Sequence, residues 1–259
     1  MMEAILSLKQ EFSLLFWSSV YTAILLVPSL ALLIFDSRVV VGANPWVKPV
    51  KFELSILIFN LTIGWLLQRM VMPVLSARVI GWVVAGAMFV EISAIVMQAA
   101  RGVPSHYNFS SPLNAAVFTA MAVAIVLNTV ALGWLCVISF GPQAQLPPAV
   151  VWGIRLGLIL FLFSSFQGFQ IVGHKGHTVG ASDGGPGLPF LRWSTVAGDL
   201  RIAHFIGIHG IQMLPLLGYF VSRTDRQAGS GVVASAFAAI AALFFWALAQ
   251  AWAGRPLLR

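Results

Sequence analysis

Charge is scarce in this chain. Only 9% of its 259 residues are Asp, Glu, Lys or Arg, against roughly 25% in an ordinary soluble domain. That scarcity excludes a water-soluble globular body. Cysteine is almost missing too: the single Cys136 excludes an intrachain disulfide, and its place inside an apolar run argues against a catalytic thiol. The formal net charge is +7, yet the basic residues are scattered, with no basic run and no recognition motif, which excludes nucleic acid as a partner. No repeat is evident. No connection between apolar runs exceeds about 25 residues, too short for a further domain when domains begin near 50 residues.

What the chain does have is 59% hydrophobic residues. A membrane-spanning helix needs about 20 mostly apolar residues in a row. Seven stretches qualify: 12–35, 51–72, 77–99, 113–139, 150–174, 199–222 and 231–253. Lipid does not tolerate unpaired backbone groups, so runs this long and continuous are helices rather than barrel strands. The predicted fold is all-α: a polytopic integral membrane protein, a bundle of about seven transmembrane helices, forming a single transmembrane helical domain over residues 1–259. The start, "MMEAILSLKQE", mixes Glu3, Lys9 and Glu11 and lacks a small-residue cleavage site, so it reads as a lead-in to an uncleaved first helix.

Seven spans place successive loops on alternating sides. One side has "VMPVLSAR", "GPQAQLPPAV" and "SRTDRQAGSG", which contain turn chemistry and little else. The other holds "DSRVVVGANPWVKPVKFE", "ARGVPSHYNFSSPLN" and the long connection that begins "GHKGHTVGASDGGPG". All five histidines fall on or near this second, chemical side: His106, His174, His177, His204 and His209. Its cations include Lys48, Lys51, Arg101, Lys175, Arg192 and Arg201, with Arg255 and Arg259 beyond the last span. The plain side has fewer, among them Arg69, Arg78, Arg223 and Arg226. Assigning the chemical-side cations to a site rather than to topology leaves the plain side as the cytoplasmic one.

Residues seven apart on a helix differ by only about 20° in direction, and five spans carry a polar stripe on that spacing. The second has Glu53, Asn60 and Gly64. The third has Glu91, Gln98 and Arg101, and the fourth Asn114, Met121 and Asn128. The fifth brings Gln167, Gln170, His174 and His177 to one face, and the sixth offers Arg201, His204, His209 and Gln212. The first and last spans have only mild polarity and read as packing or lipid-facing helices. Asn60, Glu91, Asn128, Gln167 and His209 lie roughly 10–20 Å below the chemical side at 1.5 Å per residue. An ionisable residue at that depth costs about 2.5–3.5 kcal/mol and usually faces a bundle interior.

These stripes predict a one-sided His/Glu/Arg pocket between spans two and six. The leading expectation is a membrane-embedded enzyme or redox protein in which a transition metal or haem is bound. His174, His177, His204, His209 and Arg201 would hold the cofactor, with His106 and Glu91 as further metal ligands. Glu91, His209 and Arg101 would do acid–base and anion-holding work. Lys51, Gln98, Arg101, Asn60, Asn128, Gln167, Gln170 and Gln212 would bind substrate. The alternative is a transporter or sensor for a small anionic or lipid-like ligand, since Arg and Lys at a bilayer interface suit carboxylate, phosphate and headgroup partners. The lipid bilayer and a second copy of the chain, as a homo-oligomer, complete the expected partners.

Local features add detail. The glycine-rich connection after span five is permissive enough to fold back as a lid, with Phe190 and Trp193 at the interface. Asp199 is placed to cap the sixth helix, and Pro215 to kink it. Gly153 and Gly157 in "GIRLG" set up a close helix approach, within the chain or between copies.

Overall fold

A computed structural model describes residues 2–224 and 229–257, with side chains from Ser7 onward. The side chains of Glu3, Arg226 and Arg259 lie outside the described residues. Among those described, seven helical segments are long and apolar enough to cross a membrane. They are α2 (Ser13–Phe35), α3 (Val47–Arg69), α4 (Val74–Ala100), α5 (Pro112–Ser139), α6 (Pro148–His174), the pair α7 (Leu200–Ile208) and α8 (Gly210–Thr224), and α9 (Gly229–Trp252). The chain is an all-α, multi-pass membrane protein. Its only strands among the described residues are the two-residue β1 (Thr178–Val179) and β2 (Gly198–Asp199).

Two helix starts fall three or more residues earlier than the hydropathy pattern suggested. Helix α3 begins at Val47 and takes Pro49 into its first turn, where the backbone N–H that proline lacks would have no intrahelical partner anyway. Helix α4 begins directly after Pro73. The lead-in is itself a helix, α1 (Met2–Glu11). Gly64 of α3 makes room for it: a Cβ there would fall 2.5 Å from Leu8.

The chain gathers into two compact units, Met1–Ala131 and Leu132–Arg259. In the first, α2, α3 and α4 pack pairwise around Ile63, Leu66, Ile80, Val84 and Ile92, all fully buried. Met121 of α5 joins α4 at Ala94 and Ile95. Helix α4 ends in a Schellman turn: the N–H of Gly102 donates to the Ala99 carbonyl and that of Val103 to Gln98, each at 3.0 Å. Gly102 supplies the positive φ of +69° that this turn requires.

In the second unit, α6 and α8 run antiparallel at backbone contact. A Cβ on Gly153 would collide with the Leu214 carbonyl and lie 2.8 Å from Pro215 Cα. One on Gly157 would lie 2.8 Å from the Gly210 oxygen, and one on Gly218 would strike the Ala149 carbonyl. The "GIRLG" pattern is therefore used inside the chain. Where lipid removes any hydrophobic drive between helices, such approach replaces it with dispersion contacts.

The sixth span departs from a continuous kinked helix. It is interrupted at His209, six residues before Pro215. The backbone of His209 closes α7, its N–H bonding to Phe205 at 3.3 Å, and its carbonyl accepts from Gln212 and Met213 at 3.0 Å to open α8. Above the break the register against α6 changes. Gly157 faces Gly210, but seven residues later Ser164 faces Gly207. Trp193 packs, partly buried, with Ile202, Ala203, Leu160 and Phe244, whereas Phe190 is exposed.

The close crossing is testable. Gly153→Ala should destabilise the protein by about 1–3 kcal/mol, the usual cost of overpacking. Gly86→Ala, which has nothing within 4 Å of the new methyl, should leave stability unchanged or raise it by up to about 1 kcal/mol. Thermal unfolding of the two variants in detergent checks the contrast.

Candidate functional site

The N-terminal unit presents a cationic rim above a buried polar interior. Helix α4 ends at Arg101, and its side chain turns onto two amide oxygens. Nη1 donates to Gln98 Oε1 at 2.5 Å and to Asn114 Oδ1 at 2.8 Å. Gln98 Nε2 donates to the same Asn114 oxygen at 3.1 Å, and Asn114 in turn donates to Ser110 Oγ at 2.9 Å. Gln98 and Asn114 are buried, while Arg101 is exposed. Both partners of the guanidinium are neutral, and among the described residues no carboxylate pairs with it.

Beside this cluster Lys48 Nζ lies 3.0 Å from His106 Nδ1, and the imidazole stands among Phe52, Tyr107 and Phe118. Lys51 follows half-buried on α3. The rim's other arginine behaves differently. Arg38 forks onto Asp36, which also accepts from Trp46 Nε1 at 2.7 Å. The Arg38 fork holds the Asp36 carboxyl well below the ordinary carboxylate range. Arg38 Nη1 then donates to the Ala100 carbonyl at 3.0 Å, tying the α2–α3 loop to the end of α4.

Below the rim four predicted or striped polar residues are buried. Glu53 Oε1 accepts from Ser29 Oγ at 2.7 Å, and Asn60 Nδ2 donates to Ser18 Oγ at 3.3 Å. Glu91, 4% exposed, lies within electrostatic range of Lys48. Glu53 Oε2, Asn60 Oδ1 and Asn128 Oδ1 have no protein partner among the described residues. The first span is thus more than packing, since Ser18 and Ser29 of α2 serve the two stripe residues of α3. Tyr21 Oη also lies 3.1 Å from Ser93 Oγ. Positions 18, 22 and 29 fall within about 40° on one helix face, a signal legible in the sequence but too weak in single hydroxyls to stand out.

The C-terminal unit holds the other candidates, most of them already engaged. Asp199 caps α7 as expected, accepting from the Arg201 N–H at 3.0 Å. It also receives the Arg201 guanidinium at 2.9 and 2.6 Å and the Ser194 N–H at 2.8 Å. Arg201 reaches the Arg192 carbonyl as well. It therefore fastens the connection to the start of α7. Burial alone would raise the Asp199 carboxyl, but the Arg201 fork and the Ser194 N–H outweigh it and leave it lowered.

His177 Nδ1 is 3.1 Å from Asp183 Oδ1, and Asp183 also accepts from the Thr178 N–H at 2.9 Å. These bonds and the β1–β2 pairing make the expected lid a built hairpin, seated with Gly198 on Ala251 and Gly180 on Gly254. His174 is exposed, with Nδ1 2.9 Å from the Gly176 oxygen and its ring edge-on to Trp252. Gln170 is exposed too.

Deeper in, His204 Nδ1 lies 3.0 Å from the Ser164 carbonyl, and Gly168 leaves the space its ring occupies. His209 Nδ1 is 3.3 Å from Gln212 Oε1. Gln167 donates to the Leu200 carbonyl at 3.2 Å, leaving Oε1 without a partner among the described residues. No three His, Cys, Asp or Glu side chains among the described residues stand together as ligands of a metal ion would. Comparison with known protein families, curated proteins and solved structures finds no match.

The Asp199 fork predicts a pH-dependent stability. A carboxyl lowered on folding contributes above its unfolded value near 3.9, and the contribution is lost as pH falls through the folded value. Asp199→Ala, which strands Arg201, should cost roughly 3 kcal/mol at pH 7. The gap to wild type in thermal unfolding should narrow as pH is taken down from about 4.

Proposed function

We propose that the protein is a membrane transporter or sensor for a small anionic ligand, bound at the rim of the N-terminal unit by Arg101 with Gln98, Asn114 and Lys51 around it. The observation that carries this reading is the state of Arg101. The arginines of the two forks, Arg38 and Arg201, each have their charge met by an aspartate. Arg101 is instead positioned by amide oxygens through Nη1 alone, so its charge and its remaining N–H groups are offered outward. A guanidinium held in place but not neutralised is suited to bidentate recognition of a carboxylate or phosphate.

The enzyme or redox reading, with a metal or haem, rests on the histidines of the C-terminal unit. His204 is the one that favours it, because an Nδ1–H directed at a backbone carbonyl leaves Nε2 as the ligating nitrogen. A haem absorption band or stoichiometric metal in the purified protein, lost in His204→Ala, would establish that reading in place of the first.

For the anion site, thermal shifts of the detergent-solubilised protein with inorganic phosphate, acetate and citrate provide the assay. At least one should stabilise wild type, by RT ln(1 + [L]/Kd). Arg101→Ala should weaken binding by about 10- to 100-fold, the equivalent of a charge-assisted hydrogen bond of about 1.5–3 kcal/mol. Asn114→Ala, which loosens the guanidinium without removing it, should weaken it less. Equal shifts in wild type and Arg101→Ala would sink the proposal.

A further inference from the structure

Helix α3 carries a polar column that the anion site does not use. Glu53, Asn60, Gly64 and Gln68 fall within about 80° of one another, at steps along the axis of about 10 Å from Glu53 to Asn60 and 12 Å from Asn60 to Gln68. Each polar member meets a hydroxyl from a neighbouring helix. Ser29 donates to Glu53, Asn60 donates to Ser18, and Gln68 Nε2 donates to Ser7 Oγ at 2.7 Å. Ser18 further donates to the Ala85 carbonyl of α4 at 3.4 Å. The column therefore follows the α2–α3 seam at Glu53 and Asn60 and meets α1 at Gln68. Between Asn60 and Gln68, Leu8 of α1 closes against Gly64, whereas Glu53 stands in the second turn of α3, at the rim end of the helix.

Glu53 is the ionisable member. Its side chain is 0% exposed, Oε1 is held by Ser29, and Oε2 is shielded with no partner among the described residues. It belongs to no ion pair there either. The charged and titratable groups on the packed elements are otherwise placed. Lys48 and Lys51 lie towards the rim on α3, and Arg69 at its other end. Asp36, after α2, is committed to Arg38 and Trp46, and Tyr21 meets Ser93. Helix α4 contributes Glu91 and Arg78, and α1 Lys9 and Glu11 at the Gln68 end.

An uncompensated carboxylate in such surroundings costs several kcal/mol, so what neutralises it must be small and cationic. Hard metal ions take about six or more oxygens, whereas among the described residues the carboxyl's one hydrogen-bond partner is Ser29. A proton needs no more than one carboxyl oxygen.

We propose that Glu53 is a proton-binding site, reversibly taking a proton from the rim side to become the neutral acid and returning it as the carboxylate. In the transporter reading, on which this use of it rests, the site couples movement of the anion to a proton. The proton site itself is tested without any anion.

The experiment is pH-difference infrared spectroscopy of the full chain reconstituted in liposomes, reading the C=O stretch of protonated carboxylic acids. The chain has only eight Asp and Glu residues, which makes assignment by substitution tractable, and a Glu91→Gln background removes the other buried Glu of the N-terminal unit. Expected is a pH-dependent acid band that disappears in Glu53→Gln and moves to higher frequency in Ser29→Ala, where the hydroxyl no longer donates to the carboxyl. Glu53→Asp should keep a displaced band, which serves if Glu53→Gln does not fold. The proposal is overturned if the band is the same in Glu53→Gln, if Glu53→Asp and Ser29→Ala both leave it unmoved, or if sodium at fixed pH abolishes it, which would mark a metal-ion site. Loss of anion shifts in Arg101→Ala with no Glu53 band would uphold the anion site and reject this one. The reverse result would uphold this one alone.

Discussion

A polar group that enters hydrocarbon must find its partner inside the protein, and that constraint sorts the side chains of this molecule. Many hydroxyls meet it locally, donating one turn back along their own helix. Ser19 bonds to Leu15, Thr22 to Ser18, Thr62 to Ile58, Thr129 to Ile125 and Ser165 to Phe161. Such groups are self-contained. Others reach across to a second helix, as Ser29 does to Glu53 and Ser164 to the His204 carbonyl, and these fix which helix faces meet. Glu53, Asn60, Asn128 and Gln167 are buried yet each keeps one acceptor oxygen without a partner among the described residues. Orphaned acceptors are costly in a medium without water.

The same accounting separates the cations. An aspartate beside an arginine makes a fastener: Asp36 with Arg38 ties the first loop to α4, and Asp199 with Arg201 ties the long connection to α7. Arginine beside amides is held without being discharged. The difference between fastening and offering lies in the partner's charge, not in the arginine. Close packing obeys a parallel rule. Glycine on α6 and α8 lets backbone meet backbone where the helices must touch, and on α7 Gly207 opposes Ser164, so that the break at His209 is accommodated by small residues.

Much of the fold was legible in the sequence because spanning a bilayer imposes a length and a composition that no other class shares. The seven spans, the cap at Asp199 and the tight approach of Gly153 and Gly157 follow from local rules. The polar stripes of α3 and α4 were legible as spacing. Their partners were not, because a single serine such as Ser29 or Ser18 has a bland local signature, and its meaning depends on which helix comes to face it. The break at His209 was hidden for a related reason. Pro215 drew attention as the obvious disruptor, whereas the interruption falls where Gly157 of α6 lies against Gly210. The fork between Arg201 and Asp199 was not legible, because a spacing of two residues gives no hint that the carboxylate turns back onto the guanidinium.

The tie between Arg38 and the Ala100 carbonyl spans 62 positions of sequence. At a synthesis rate of about 5–20 residues per second, the acceptor emerges roughly 3–12 s after the donor. Through that interval Arg38 can still be occupied by Asp36, with Asn44 and Trp46 bonded to the same aspartate. The first loop can therefore be assembled on the nascent chain as a local knot while α3 and α4 are still being inserted. It is then ready to receive the end of α4 when that helix completes.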